Sequence, residues 1–234
     1  MKTVRSRQIA LVLFGGTGER FGASYPKQFV DLGVEPMFVV TLQRFSLSPN
    51  VDEIYVVVEP STIGVCRDLI LSRQIKKVKS LIKGGKTRQE SARIGLLALE
   101  EAGVDKDDLV LIADGDRPNI PDKLIADNFL TAYQVGAAVT AIPSVDSVFF
   151  QKEGYVQSYL DREKVYRAQT PQTFRFKEIL SAHKKLSGKT FTDDASLLIA
   201  LHKKVAIVEG SPDNIKITVP KDVEAYLKLT EAKK

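Results

Sequence analysis

The sequence predicts an α/β fold, a mostly parallel twisted sheet flanked by helices, from which a β-hairpin arm protrudes. Three observations predict it. Short apolar runs rich in β-branched residues alternate with stretches of helical period from Ile9 to Ile142. Glycine turns punctuate several of these runs, Gly15-Gly16 and Gly84-Gly85 among them. The alternation breaks once, after Pro143, at two β-prone runs joined by a short glycine-bearing loop. Regular strand–helix alternation implies right-handed βαβ units and therefore a parallel sheet.

In chain order, residues 9–14 are apolar throughout, as a strand buried on both faces must be. Residues 36–46 read as a helix with Phe38, Leu42 and Phe45 on one face. Residues 53–58 form a β-branched strand and 61–71 a helix. Residues 78–82 are a strand ending at Gly84-Gly85, and 87–102 a helix with Ala92, Leu96 and Leu99 aligned. Residues 109–113 are a strand, 121–134 a helix opened by proline, and 137–142 a strand. Residues 147–150 and 155–159 flank Gln151-Lys152-Glu153-Gly154 as a hairpin. A two-stranded hairpin is marginal alone, so it needs a surface to pack on, and a partner subunit is a candidate. Helices at 177–186 and 193–201, strands at 205–208 and 215–218, and a closing helix from Pro220 complete the chain. With no internal repeat or low-complexity linker, residues 1–234 read as one Rossmann-like domain with the arm at about 144–162.

Composition narrows the function. The 234 residues are 44% hydrophobic, enough for a sizeable core. A net charge of +5 is a mild excess that suits a phosphate-rich small ligand. No basic run is interleaved with aromatics, which argues against nucleic acid. Cys66 is the single cysteine, so no internal disulfide forms, and it reads as a small helix-buried hydrophobe. The N-terminus lacks a signal-peptide pattern and no segment approaches a membrane span, so the expected location is the cytoplasm. The two histidines, His183 and His202, sit among lysines and read as surface residues.

Four constellations carry chemistry. The first is Phe14-Gly15-Gly16-Thr17-Gly18-Glu19-Arg20, followed by Pro26-Lys27-Gln28-Phe29. Glycines admit a close ligand, successive backbone N–H groups bind anions, and two cations suit a polyphosphate. A P-loop would need Lys followed by Ser or Thr, and a dinucleotide fingerprint would need a third glycine where Phe21 stands. A plain structural turn remains the alternative. The second is Ala113-Asp114-Gly115-Asp116-Arg117-Pro118 at a strand's carboxyl end, where a hard carboxylate can hold Mg²⁺ against phosphate oxygens or simply mark a surface turn. The third, Gly84-Gly85-Lys86-Thr87-Arg88-Gln89-Glu90-Ser91, is a glycine turn into a helix N-terminus. A capping box accounts for Thr87 and Glu90 but not for Arg88 or Ser91. The fourth puts Lys216 amid apolar neighbours after Asp213. Scarce histidine argues against a His general base, whereas nucleotidyl transfer onto an ionised phosphate needs only positioning, cations and metal.

These motifs closely resemble those of the sugar-phosphate cytidylyltransferases, nearest to those acting on 2-C-methyl-D-erythritol 4-phosphate. The resemblance spans nearly the whole chain. Gln169-Thr170-Pro171-Gln172, Thr192-Asp193-Asp194-Ala195 and Asn214-Ile215-Lys216-Ile217-Thr218 add to it. It implies that Arg20 and Lys27 grip the CTP phosphates, with Lys216 steadying them from the far side. Backbone at Phe14, Gly15 and Gly16, through Thr17 and Gly18, with Gly85, Arg88 and Ser91, would bind the nucleotide. Asp114 would bind Mg²⁺. Ser147, Arg162 and Thr192 would bind the acceptor, a sugar-alcohol phosphate. The arm would reach into a second subunit of a homodimer. A sister activity on ribitol 5-phosphate, and a weakened nucleotide-binding or scaffold protein, are the alternatives. The family usually carries His-Asp-Ala-(Ala or Ser)-Arg-Pro where this chain has residues 113–118. Asp116 therefore adds a charge that contacts metal, pairs with Arg117 or weakens CTP binding. Phe14 also replaces a small residue.

Overall fold

The computed structural model describes residues 6–15, 21 and 25–231. Nine strands and seven helices are placed among them. Gln8–Phe14 (β1), Glu53–Val58 (β2), Val78–Lys83 (β3) and Leu109–Asp114 (β4) are parallel neighbours in the order β3-β2-β1-β4. Tyr166–Arg175 (β8) lies next to β4 and runs antiparallel to it. Ala137–Pro143 (β5) pairs antiparallel with β8 and parallel with Ala206–Glu209 (β9), completing a seven-stranded sheet. One strand of seven thus runs against the rest. Phe149–Lys152 (β6) and Tyr155–Tyr159 (β7) form a separate two-stranded hairpin whose residues are all exposed, the expected arm.

Alternation along the strands sorts the core into two layers. Ala10, Val12, Phe14, Ile54 and Val56 face Met37–Leu47 (α1), Ile63–Ser72 (α2) and Asp122–Val135 (α4). Ile9, Leu11, Leu13, Tyr55 and Val57 face Arg88–Glu101 (α3), Phe176–Lys185 (α5) and Asp194–Ala200 (α6). Gly95 lets α3 lie close on the sheet, because a Cβ there would stand 2.7 Å from Leu11 Cδ1. Pro220–Glu231 (α7) closes a third cluster through Tyr226, with Leu32, Met37 and Ile217. No helix among the described residues is long and apolar enough to cross a membrane.

Two expectations about elements need correction, and one strand was missing from them. Residues 215–218 are not a strand but an irregular segment off the sheet. The Ile217 amide donates instead to the Asp116 carbonyl (2.8 Å), and Ile217 is buried in the third cluster. β8 was not anticipated, since its run of Arg, Gln, Thr and Pro hides a buried strand. His183 is not a surface residue. It lies on the buried stripe of α5 with Ile179, Leu180 and Ala182, at 2% exposure. His202 is exposed, and Cys66 is buried on α2, both as expected.

Candidate active site

The carboxyl ends of β1 and β4 lie side by side, with Leu13 opposite Asp114, and the chain leaves these strands toward opposite edges of the sheet. That is the topological switch point at which open α/β sheets bind ligands. Gly15 follows β1, the aspartate turn follows β4, and the Gly84-Gly85 turn follows β3. A cis peptide bond joins Thr170 to Pro171 on β8 beside this edge. The Thr170 hydroxyl accepts from the Asp114 amide (3.1 Å).

An alternating chain of charges runs across this edge. Lys27 Nζ stands 2.6 Å from Asp116 Oδ2 and donates to the Ile217 carbonyl at 2.9 Å. Lys216 Nζ lies 2.7 Å from Asp114 Oδ2 and 3.8 Å from Asp116 Oδ1. Arg88 joins Asp114 (2.6 Å) to Asp194 (2.8 Å), and His183 Nε2 meets Asp194 Oδ1 at 3.1 Å. Burial alone would raise the Asp114 carboxyl, but Arg88 and Lys216 outweigh it and hold the group well below the usual carboxylate range. Burial likewise opposes ionisation of Asp194, and Arg88 and His183 outweigh it. Burial lowers the Arg88 guanidinium, while its two carboxylates raise it further than burial lowers it.

The expected site residues fall into three groups. Lys27, Arg88, Asp114 and Lys216 converge in the charge chain. Gly15, Gly85 and Ser91 form the adjoining wall. The buried Ser91 hydroxyl accepts from the Gly85 amide (3.1 Å) and would lie 2.6 Å from a Cβ on Gly15, so it sits beneath both Gly15 and Gly85. Thr87 caps α3 by accepting from the Glu90 amide, while the Glu90 carboxylate takes the Lys86 amide, one residue before the capping-box position. The Phe14 ring turns into the core, 4.8 Å from Phe38 and over Gly115, leaving its backbone to the site. Ser147 and Arg162 lie exposed near the arm, where Arg162 reaches the Val145 carbonyl at 3.5 Å. Thr192 is exposed just before the Asp193 cap of α6. Gly16, Thr17, Gly18 and Arg20 lie outside the described residues. Asp116 pairs with Lys27, and Arg117 Nη1 instead donates to the Asn214 carbonyl at 2.6 Å.

Sequence reading missed Asp194 and His183 as parts of this network. The apolar stripe Phe176, Ile179, Leu180 was the available signal, since it carries His183 on its buried face. Asp114 suits a divalent cation. It is ionised, and each oxygen receives one donor, leaving lone pairs free. Among the described residues no group of three or more His, Cys, Asp or Glu side chains could hold a metal, so such an ion would take its remaining oxygens from phosphate and water.

The sequence model of the 2-C-methyl-D-erythritol 4-phosphate cytidylyltransferase family matches residues 8–230. Among curated relatives, the enzyme of that name from Geotalea uraniireducens is 39% identical, over 97% of this chain and 100% of its own. The one from Syntrophotalea carbinolica is 40% identical, over 91% of each chain. The solved structure of the 4-diphosphocytidyl-2C-methyl-D-erythritol synthase from Anaerococcus prevotii superposes with a TM-score of 0.83 at 28% identity, covering 95% of this chain and 96% of that one.

Proposed function

This chain belongs to the 2-C-methyl-D-erythritol 4-phosphate cytidylyltransferase family, and we propose that the charge chain at the β1–β4 edge carries its reaction. The activity is CTP-dependent cytidylyl transfer to 2-C-methyl-D-erythritol 4-phosphate, an enzyme step of isoprenoid-precursor synthesis. The matched family and relatives carry the erythritol name, and the ribitol reading is not favoured.

An ionised oxygen of the acceptor phosphate attacks the α-phosphorus of CTP. The new P–O bond forms as the bond to the β-phosphate breaks, and that electron pair leaves with pyrophosphate. No proton moves, which fits a cluster of lysines, an arginine and carboxylates in place of a general base. Lys27 and Lys216, with Arg20, stabilise the charge that grows on the transferring group. Backbone groups of Phe14, Gly15 and Gly16 through Gly18, with Gly85, Arg88 and Ser91, receive the nucleotide. Asp114 would hold Mg²⁺, which when bound neutralises triphosphate charge. Ser147, Arg162 and Thr192 receive the acceptor phosphate, the first two from the arm of a partner subunit. The exposed Phe149, Phe150, Tyr155 and Tyr159 on the arm support such a homodimer, which we place in the cytoplasm as a single nucleotidyltransferase domain over residues 1–234. Tyr155→Ser with Phe150→Ser should then shift the mass in light scattering from dimer to monomer.

The observation that carries this reading is the convergence of Lys27, Lys216, Arg88 and Asp114 on one strand edge. Pyrophosphate release with CTP, Mg²⁺ and either acceptor tests it. Turnover with the erythritol phosphate supports it. Turnover with ribitol 5-phosphate alone, or with neither, overturns it.

A further inference from the structure

Asp116 holds one cation that a triphosphate would need and faces a second. The Lys27 ammonium has three donors, and two are committed, to Asp116 Oδ2 at 2.6 Å and to the Ile217 carbonyl at 2.9 Å. Asp116 Oδ1 is buried without a hydrogen-bond donor and faces Lys216 Nζ at 3.8 Å. One carboxylate thus stands between two ammonium groups. Its backbone is fixed, since the Asp116 carbonyl accepts from the Ile217 amide. Beside it lies a cavity of about 50 Å³ lined by Leu13, Phe14, Gln28 and Met37 as well as the Lys27–Asp116 pair. The pair is mostly shielded from solvent, at 16% and 15% side-chain exposure, so salt and water screen it only in part. Arg117, the next residue, turns away to the Asn214 carbonyl.

A carboxylate in this position mimics a phosphate. It pairs with Lys27, faces Lys216 beside that lysine's own partner Asp114, and repels an anion that arrives there. We propose that Asp116 is an internal counterion that sets the affinity for the triphosphate, giving up Lys27 to phosphate oxygens on binding while its charge opposes the pull of Lys216 on the same anion. This rests on the reading of Lys27 and Lys216 as phosphate ligands. Asp116 is an affinity-determining residue here and needs no contact with the reacting atoms.

Calorimetric titration with CTP and with inorganic tripolyphosphate, without divalent cation or acceptor, tests the idea on the wild type, Asp116→Asn and Asp116→Ala. Asp116→Asn keeps the shape and an acceptor oxygen while removing the charge. Both variants should bind both ligands on the order of tenfold more tightly, the effect of one unit charge at a partly screened site. The gain should shrink as ionic strength rises, and cytidine affinity should stay unchanged. Unchanged or weaker tripolyphosphate binding in both variants overturns the proposal. So does weaker binding in Asp116→Ala with no change in Asp116→Asn, which marks a carboxylate that merely positions Lys27. Lys27→Ala separates the two readings. If it leaves tripolyphosphate binding untouched, Lys27 is no phosphate ligand and both readings fall. If it weakens binding while the Asp116 variants do not tighten it, only the counterion proposal falls.

Discussion

Replacing Asp194 by alanine strips the rear of the charge chain. Arg88 then keeps Asp114 as its one carboxylate, and the buried His183 loses its 3.1 Å partner. Removing one member of a buried ion pair costs about 3–5 kcal/mol, because the other charge stays desolvated. The Arg88 side chain is 29% exposed and keeps its 2.6 Å contact with Asp114, which favours the lower end, about 3 kcal/mol. For a chain of this size each kcal/mol moves Tm by about 2–4 °C, so the expected loss is about 6–12 °C. The loss should also depend on pH. The Asp194 carboxyl is held below its ordinary value in the fold, because Arg88 and His183 outweigh the effect of burial. Its stabilisation is therefore present above the unfolded carboxylate range, near pH 4, and is lost as pH falls through the folded value. Wild type and variant should converge in acid. Thermal melts by circular dichroism across this range provide the readout, with Asp194→Asn as the isosteric control. A shift under 2 °C at neutral pH, or a gap that persists in acid, would refute the assignment of Asp194 as the counter-charge of Arg88.

Two further perturbations follow from the core. Burial pushes the Cys66 thiol from 9.0 up to about 11, against a small opposing hydrogen bond with Thr62. The folded thiol should therefore resist a disulfide reagent at pH 8 and react only on unfolding. Stability credited to the neutral thiol should be present below pH 9 and fade as pH rises toward 11. Rapid labelling of the native protein would contradict this placement. In Gly115→Ala the new Cβ would overlap the Phe14 ring, which Phe38 backs at 4.8 Å. Overpacking of this kind should cost about 1–3 kcal/mol in urea unfolding. A neutral result would mean that Phe14 has room to turn away.

The parallel half of the fold was legible because strands buried on both faces are written as continuous apolar runs, as in Ala10, Leu11, Val12 and Leu13. β8 was illegible because its burial is polar. Gln172 bonds Asp193 and the Ala195 amide, Gln169 reaches the Ser211 carbonyl, and Thr170 holds the Asp114 amide. A strand that spends its side chains supporting a site does not look like a core strand. His183 was misread for a similar reason, since its lysine neighbours describe the outer face of α5 and its apolar neighbours the inner one. Local motifs marked Lys27, Arg88, Asp114 and Lys216 one by one. Their pairing was not readable, because Lys27 and Asp116 are 89 residues apart and Lys216 and Asp114 are 102 apart. Only the sheet topology brings them together.

The proposed reaction turns on Lys27 acting on the transferring phosphoryl group. Steady-state kinetics of Lys27→Ala with CTP and 2-C-methyl-D-erythritol 4-phosphate test it most directly, read beside the Kd for CTP. A cation that binds the phosphates and meets still more charge in the transition state acts on both quantities, so CTP binding should weaken while kcat falls further, by orders of magnitude. A variant with weakened CTP binding and unchanged kcat would contradict the claim.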